Sequence, residues 1–356
     1  MNARKRLGKL PRRLLLLTFS TLLTLVLAEA AFRIVHAVHP IFFLPRSDYN
    51  QFRARPGSIH IGHPVNAMGF YDREVEARKP EGVYRIVALG DSFAFGVVPY
   101  PDNYLTLLEE HLDQGRGKVE VVNMGIPKVG PASYLALLEH EGLRLEPDLV
   151  LVNFFTGNDF NLPPEEERSG PRPRSFVAAF FRYLLFIRPQ FDGQEYAGAD
   201  TYDESHPTIR EEPYMLVLRR RLYSTFDPRG PRWDEKRHQV HDVFQKIEDL
   251  CTARNIPLLV VILPDELQWD LDLRARAFAH FSQLQPERFQ FDFPNQALHE
   301  ILDDLEIPYL DLLPRQRQEP QDVPLYKPQD THWNRHGNAL AARIIADDLR
   351  QRGWIP

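Results

Sequence analysis

From Val83 onward, short apolar runs alternate with helical patterns, and this alternation constrains the possible folds most strongly. The runs are rich in β-branched and aromatic residues and stay apolar at consecutive positions, which is typical of parallel strands covered on both faces. Such alternation predicts right-handed strand–helix–strand crossovers, and therefore an α/β fold with a doubly wound sheet. The predicted strands cover 83–89, 118–122, 148–155, 257–263 and 307–312. The predicted helices cover 102–113, 132–145, 234–254, 295–305 and 337–351.

Composition and charge narrow the class of protein. The chain has 356 residues, 43% of them hydrophobic and 26% charged, so it can bury the core of a globular protein. Its net charge is −6, but residues 1–13 carry six positive charges and no acid, so the remainder sums to −12. An acidic body argues against a nucleic-acid partner. The single cysteine, Cys251, excludes an internal disulfide and a multi-cysteine metal site.

An apolar run from Leu14 to Val35 follows the basic cluster. This order predicts a secretory signal or a membrane anchor whose N-terminus stays inside. Ala28-Glu29-Ala30 has the small-x-small form of a cleavage site, so a removed signal peptide stays open. The run has 22 residues, and one spanning helix needs about 20, so we favour a retained anchor. Either outcome places the body outside the cytoplasm, as an anchored periplasmic domain or a cleaved secreted form.

The chain divides into three predicted regions. Residues 1–38 form the basic flank and anchor, and 39–82 form a linker with early strands because proline and glycine punctuate them. Residues 83–356 form the main domain, with an insertion at 161–233 that is too long for a plain crossover and too rich in proline for one helix. We interpret the insertion as a lid or substrate wall beside the site, or as a surface excursion with its own packing. Within it, 176–187 predicts an apolar helix, for which we favour core packing over contact with a membrane surface.

Four polar blocks lie where a predicted strand ends or where the last helix begins. Because the carboxyl ends of parallel strands meet at one edge of the sheet, we expect these blocks to share one site. The blocks are Gly90-Asp91-Ser92, Asn123-Met124-Gly125, Gly157-Asn158-Asp159 and Asp330-Thr331-His332-Trp333-Asn334.

The residue types in these blocks suit nucleophilic catalysis. Ser92 is the candidate nucleophile, and a serine is weak unless a base removes its proton. His332 is the candidate base, and Asp330 is the candidate acid that orients the imidazole. The candidate oxyanion donors are the backbone N–H groups of Ser92 and Gly125 and the side-chain amide of Asn158.

On these residues the chain resembles the SGNH, or GDSL, hydrolases. That family is named for a serine, a glycine, an asparagine and a histidine, which Ser92, Gly125, Asn158 and His332 match. The resemblance extends from about Val83 to the C-terminus, without the insertion. It implies a flavodoxin-like three-layer sandwich with a five-stranded parallel sheet, and ester chemistry through an acyl-enzyme.

One position departs from the commonest family pattern. The family usually places the aspartate three residues before the histidine, whereas only Thr331 separates Asp330 from His332. The Asp-x-His-Trp pattern resembles that of bacterial membrane-anchored polysaccharide O-acetyltransferases and their esterase relatives. Trp333 could form a wall of the acyl pocket or pack under the last helix, and both interpretations stay open.

These observations predict a serine esterase that acts on O-acyl esters outside the cytoplasm. The substrate that we favour is an acetyl group on a carbohydrate. An O-acetyltransferase that moves acetyl onto a cell-surface glycan would use the same residues. A non-catalytic envelope protein that binds a glycan or a partner is the alternative from another class. We expect no cofactor, because neither a P-loop nor a GxGxxG motif follows a strand. We expect no metal, because His332 and His336 lack a third ligand with suitable spacing.

Overall fold

The computed structural model describes residues 9–38, 54, 56–161, 175–182, 184–185, 201–230, 232–320 and 322–356. Much of the predicted linker (39–53 and 55) and parts of the predicted insertion (162–174, 183 and 186–200) lie outside the described residues. The chain divides into two units. One unit comprises Met1–Phe52 with Ser169–Ala197, and the other comprises Arg53–Arg168 with Gly198–Pro356.

The elements are numbered in chain order. The strands are β1 (Ile59–His60), β2 (His63–Pro64), β3 (Tyr84–Gly90), β4 (Val119–Gly125), β5 (Leu149–Phe155), β6 (Leu258–Leu263) and β7 (Tyr309–Asp311). The helices are α1 (Lys9–Val38), α2 (Ser92–Phe95), α3 (Tyr104–Asp113), α4 (Pro131–His140), α5 (Phe176–Arg182), α6 (Glu211–Thr225), α7 (Trp233–Thr252), α8 (Glu266–Trp269), α9 (Leu271–His280), α10 (Phe293–Asp304), α11 (Leu313–Gln316) and α12 (Arg335–Gln351).

The first unit contains α1 and α5. Within α1, residues Arg13–Val35 are long and apolar enough to be a signal or a transmembrane segment. The apolar side chains along this stretch are mostly exposed. The predicted N-terminal apolar helix is therefore present, and its end lies near the predicted boundary at residue 38.

The second unit is built on a five-stranded sheet in the order β4-β3-β5-β6-β7. All four pairings are parallel, and Gly90 at the end of β3 pairs with Gly125 at the end of β4. When β3 to β7 are counted as strands 1 to 5 in chain order, this order is 2-1-3-4-5, which is the flavodoxin-like arrangement. The predicted fold class is confirmed, and each predicted strand overlaps an observed one. β1 and β2 form a separate antiparallel pair.

Helices cover both faces of the sheet and complete a three-layer sandwich. Val87 and Leu89 of β3 face a core shared with α4, α7 and α10. Ile86 and Ala88 alternate with them and face a second core shared with α3 and α12. Because successive strand residues point to opposite faces, strands buried on both sides must be apolar at every position. This explains the unbroken apolar runs of the sequence.

A third apolar cluster joins α6 to α8 and α9, and it was not predicted. Tyr214 and Leu222 of α6 are buried in it beside Leu273 and Ala277 of α9. The sequence around α6 discouraged a helix prediction because it contains Pro213 and a run of arginines. Proline is tolerated in the first turn of a helix, where its missing N–H has no intrahelical partner, and Pro213 is the third residue of α6.

Candidate active site

The turn after β3 presents Ser92 at the carboxyl edge of the sheet. Asp91 caps α2, because its Oδ1 accepts a hydrogen bond of 2.9 Å from the Phe93 backbone N–H. Ser92 is therefore the first residue of α2, and the N–H of such a residue has no acceptor within its own helix. The same residue thus presents a hydroxyl and a backbone donor to one side of the turn.

His332 and Asp330 lie beside this hydroxyl although they are distant in sequence. His332 Nε2 is 2.8 Å from Ser92 Oγ. His332 Nδ1 is 2.6 Å from Asp330 Oδ1. This is the order of contacts that a serine, a general base and an orienting acid require. The structure therefore brings the three residues of the predicted catalytic group into one hydrogen-bonded chain.

The short spacing between acid and base is accommodated by a tight loop. Asp330 Oδ1 accepts from the backbone N–H of His332 at 3.2 Å as well as contacting its ring. Lys327 closes the loop, because its backbone N–H donates to the His332 carbonyl at 3.0 Å. One intervening residue is thus enough for the carboxylate to reach Nδ1 in this loop.

Lys327 also places a buried cation beside the acid. Its Nζ is 3.4 Å from Asp330 Oδ2, and both side chains are about nine-tenths buried. Burial alone raises the pKa of the Asp330 carboxyl, but the charges of His332 and Lys327 and a bond from Thr208 outweigh it and hold the pKa below its ordinary value. Asp330 therefore stays ionised, as an acid that stabilises an imidazolium must. A lone lysine in a loop carries no sequence signal, so Lys327 was not predicted.

Asn158 reaches the site from the turn after β5. Its Nδ2 donates to Asp91 Oδ2 at 3.1 Å, and a carboxamide nitrogen carries a second hydrogen for another acceptor. Asp91 is fully buried, and this burial raises the pKa of its carboxyl. Asp91 thus holds both the helix that carries Ser92 and the amide of Asn158, a positioning role that the sequence did not indicate.

Asp159, the residue after Asn158, fixes the same turn through two hydrogen bonds. Its Oδ2 accepts from the Phe155 backbone N–H and from the Tyr134 hydroxyl, each at 3.0 Å. Burial raises the pKa of this carboxyl well above its ordinary value. The turn that carries Asn158 is therefore anchored to the end of β5 and to α4.

We expect Asn158→Ala to lower kcat for a small acetyl ester by about 10²–10³-fold, the cost of losing one oxyanion donor. The matched control is Asn161→Ala, whose carboxamide bonds to Thr225 and Lys236 instead. Steady-state kinetics on both purified variants tests this. Equal rates for the two variants would show that Asn158 is not an oxyanion donor.

Gly125 lies at the end of β4, packed against the helix that carries Ser92. A Cβ added there would lie 2.2 Å from the Phe95 backbone nitrogen and 2.6 Å from the Ala94 carbonyl carbon. Its own N–H donates to Asn123 Oδ1 at 2.9 Å. The predicted donor is thus engaged by a neighbouring side chain, and the visible requirement for glycine is the close approach of two backbones.

Gly125→Ala is expected to lower the free energy of unfolding by about 1–3 kcal/mol, because overpacking displaces backbone rather than a flexible side chain. Gly142→Ala is the control, since its nearest contact is the Leu138 methyl at 3.3 Å. Urea denaturation followed by circular dichroism measures both. A Gly125→Ala protein as stable as the wild type would contradict the packing argument.

Trp333 is almost fully buried and also lies beside the site. Its ring lies edge-on to Phe93 at 5.0 Å and to Tyr104 at 5.6 Å. These two ring contacts join Trp333 to α2 and α3. A narrow crevice beside the serine is lined by Ser92, Phe93, Gly96, Val97, His332, Trp333 and Asn338.

Across the described residues, no cluster of three or more histidine, cysteine, aspartate or glutamate side chains could hold a metal ion. His336 Nε2 lies 3.8 Å from Glu319 Oε2.

α6 contributes a cation near this edge of the sheet. Arg221 donates to Asp265 Oδ2 at 2.5 Å and lies over the Phe155 ring at 5.2 Å. Asp265 follows β6 and caps α8. Part of the predicted insertion thus packs beside the loops that carry the candidate residues.

A family model matches the C-terminal part of the chain. Residues 229–355 match the family described as "SGNH hydrolase-like domain, acetyltransferase AlgX". The match includes Asp330 and His332 and lies entirely C-terminal to Ser92. The predicted resemblance to SGNH hydrolases is confirmed. No curated protein is similar enough in sequence to match the chain.

Solved structures with similar folds include several esterases. An acetyl xylan esterase is 13% identical, with a TM-score of 0.43, over 74% of this chain and 99% of its own. A lipase/acylhydrolase from Enterococcus faecalis is 14% identical, with a TM-score of 0.39, over 76% and 97%. The esterase EstA from Pseudoalteromonas sp. is 13% identical, with a TM-score of 0.40, over 75% and 97%.

Proposed function

We propose that this SGNH hydrolase-like protein is a serine esterase that acts on O-acyl esters outside the cytoplasm. The observation that carries the proposal is the hydrogen-bonded chain from Ser92 through His332 to Asp330 at the sheet edge. A hydroxyl 2.8 Å from an imidazole whose other nitrogen contacts a buried carboxylate has the contacts of an activated nucleophile.

The reaction follows from these contacts. Ser92 Oγ attacks the ester carbonyl while His332 Nε2 takes its proton, and the negative charge develops on the carbonyl oxygen. The Ser92 N–H and the Asn158 amide are the donors proposed for that oxygen, and Gly125 contributes its N–H if Asn123 releases it. His332 then protonates the leaving alcohol as the ester C–O bond breaks. Water attacks the acyl-enzyme in the same way and releases the acid.

An acetyl group is the proposed acyl portion. The buried rings of Phe93 and Trp333 bound the crevice beside Ser92 and leave little room there for an acyl chain, so we propose the smallest common one. The family description that matches residues 229–355 also names an acetyltransferase. We propose a carbohydrate as the alcohol portion, with α6 as a wall of the substrate site.

An O-acetyltransferase is the second candidate, and the same family description favours it. In that reaction a sugar hydroxyl replaces water in the second step, so the residues are unchanged. Release of acetate from a small acetyl ester should be measured with and without an O-deacetylated glycan. Acetate release that is independent of the glycan supports the esterase. Acetyl transferred to the glycan, at the expense of free acetate, supports the transferase.

A non-catalytic binding protein is the alternative from another class. A fluorophosphonate probe that reacts with activated serines, followed by peptide mass mapping, separates an enzyme from a binder. Labelling at Ser92 that is lost in His332→Ala supports the enzyme. A chain that binds no probe at Ser92, while folded by circular dichroism, would overturn the proposal.

The location outside the cytoplasm rests on the N-terminal segment. Residues Arg13–Val35 are long and apolar enough for a signal or a spanning helix, and basic residues precede them. We propose that this helix is kept as an anchor and that the catalytic body lies on its C-terminal, periplasmic side.

A further inference from the structure

Glu29 is the one charged residue between Arg13 and Arg33 of α1. Glu29 lies 16 residues beyond Arg13, which is about 24 Å along a helix that rises 1.5 Å per residue. A bilayer has a hydrocarbon core about 30 Å thick. With Arg13 at the inner interface, Glu29 would therefore lie inside the outer margin of the hydrocarbon. A charge at that depth is costly unless it is paired.

The partners of Glu29 come from α1 itself and from the start of α5. Arg33 Nε donates to Glu29 Oε1 at 2.8 Å, and the Arg33 terminal nitrogen Nη2 lies 2.7 Å from the same oxygen. Oε2 accepts from the Ser175 hydroxyl at 2.7 Å and from the Val177 backbone N–H at 3.0 Å. The carboxylate thus joins two segments that are 146 positions apart in sequence.

Ring contacts extend the same junction. The rings of Phe32 and Phe180 are 5.3 Å apart. The Arg33 guanidinium lies over the Phe176 ring at 4.9 Å. α5 therefore packs on the part of α1 that surrounds Glu29, and it lies at the same depth along the helix axis.

The other side of α5 is apolar and exposed. Phe181 is 50% exposed, and Leu185 just beyond the helix is 64% exposed. Residues 176–181 read FVAAFF and contain no polar side chain. α5 packs on α1, whose apolar side chains are mostly exposed, so the medium that surrounds α1 also meets α5.

We propose that α5 is a second membrane-inserted element, held in the outer part of the bilayer by Glu29 of the anchor and covered by lipid acyl chains. Glu29 then serves as the polar contact between the two helices rather than as part of a cleavage site. Cleavage after Ala30 would remove it, so the N-terminal helix is retained. This inference does not depend on the proposed esterase activity.

Fluorescence at a single introduced cysteine tests the depth of α5. The native Cys251 is fully buried, so a thiol placed by Phe181→Cys is the accessible one in the folded chain. The full chain is labelled with an environment-sensitive nitrobenzoxadiazole dye in phosphatidylcholine vesicles, with and without brominated acyl chains. Lys246→Cys, on the exposed face of α7, is the matched control.

We expect the label at 181 to emit at shorter wavelength than the label at 246 and to be quenched by brominated chains. Combining Phe181→Cys with Glu29→Leu should move that label toward the aqueous spectrum, while the vesicles retain the protein through α1. A label at 181 that behaves like the one at 246 would overturn the membrane insertion. A label that is unaffected by Glu29→Leu would overturn the role of Glu29.

Intact mass of the protein extracted from bacterial membranes tests retention of the anchor. We expect a chain that still contains residues 1–30. A mature protein beginning at Ala31 would contradict the proposal whatever the activity of its body. Esterase activity measured on the same samples would then report separately on Ser92 and its partners.

Discussion

Ser92→Ala is expected to lower kcat for a small acetyl ester by about 10⁶-fold, the scale seen when a serine nucleophile is removed. In the proposed mechanism the covalent step has no other route, since the Ser92 hydroxyl, 2.8 Å from His332 Nε2, is the atom that forms the acyl bond. Rates are measured from acetate release under saturating ester. Ser224→Ala, on α6, is the control, and its hydroxyl lies beside Thr225 instead.

The fold of the Ser92→Ala protein should be unchanged, because removing one hydroxyl leaves the packing of α2 intact. Circular dichroism and thermal unfolding check this. Activity within tenfold of the wild type, in a protein shown to be folded, would exclude the serine mechanism, since a tenfold change is only about 1.4 kcal/mol in the barrier.

If Asp330 is the orienting acid of the proposed mechanism, Asp330→Asn should lower kcat by about 10⁴-fold, the scale seen for the corresponding change in a serine protease. The amide cannot stabilise the imidazolium of His332 and also leaves the buried Lys327 without a counter-charge. Asp304→Asn is the matched control, because Asp304 Oδ2 lies 3.0 Å from His241 Nε2 in an exposed pair. A rate for Asp330→Asn close to that of the control would show that the short acid–base spacing does not serve catalysis.

The same carboxylate should make stability depend on pH in the acid range. The pKa of Asp330 is lower in the folded chain than in the unfolded one, where the pKa of an aspartate is about 3.9. Its contribution is therefore present above the unfolded pKa and declines as the pH falls through the folded one. Urea unfolding at pH 5 and pH 3 should show a smaller loss of stability in Asp330→Asn than in the wild type.

The pattern of the sequence was enough to predict the sheet and most of its helices. Strands buried on both faces must be apolar throughout, so their runs stand out without any knowledge of tertiary contacts. The failure to predict two of the helices has other causes. α6 contains Pro213 and several charged residues, which do not favour a helix prediction. α9 shares an apolar cluster with α6, so its buried face can be recognised only when the position of the insertion is known.

The candidate site divides in the same way. Ser92, Asn158 and His332 follow strand ends or precede a helix, where parallel topology alone brings residues together. Asp91 acts through a contact with Asn158 on a separate loop, and nothing in its own segment indicates that partner. Asn123 and Lys327 contact residues two and three positions away, and those contacts depend on the local folded geometry of the chain.

By itself, the sequence determined the α/β class, the edge of the sheet at which polar residues gather, and the apolar N-terminal helix, because these follow from periodicity and local composition. Only the tertiary structure decided that Asp330 reaches His332 across one residue and that the Gly125 N–H is engaged by Asn123. It also decided that α5 packs on α1 at Glu29. These are contacts between segments distant along the chain or within one folded loop, and their geometry depends on packing that no local pattern encodes.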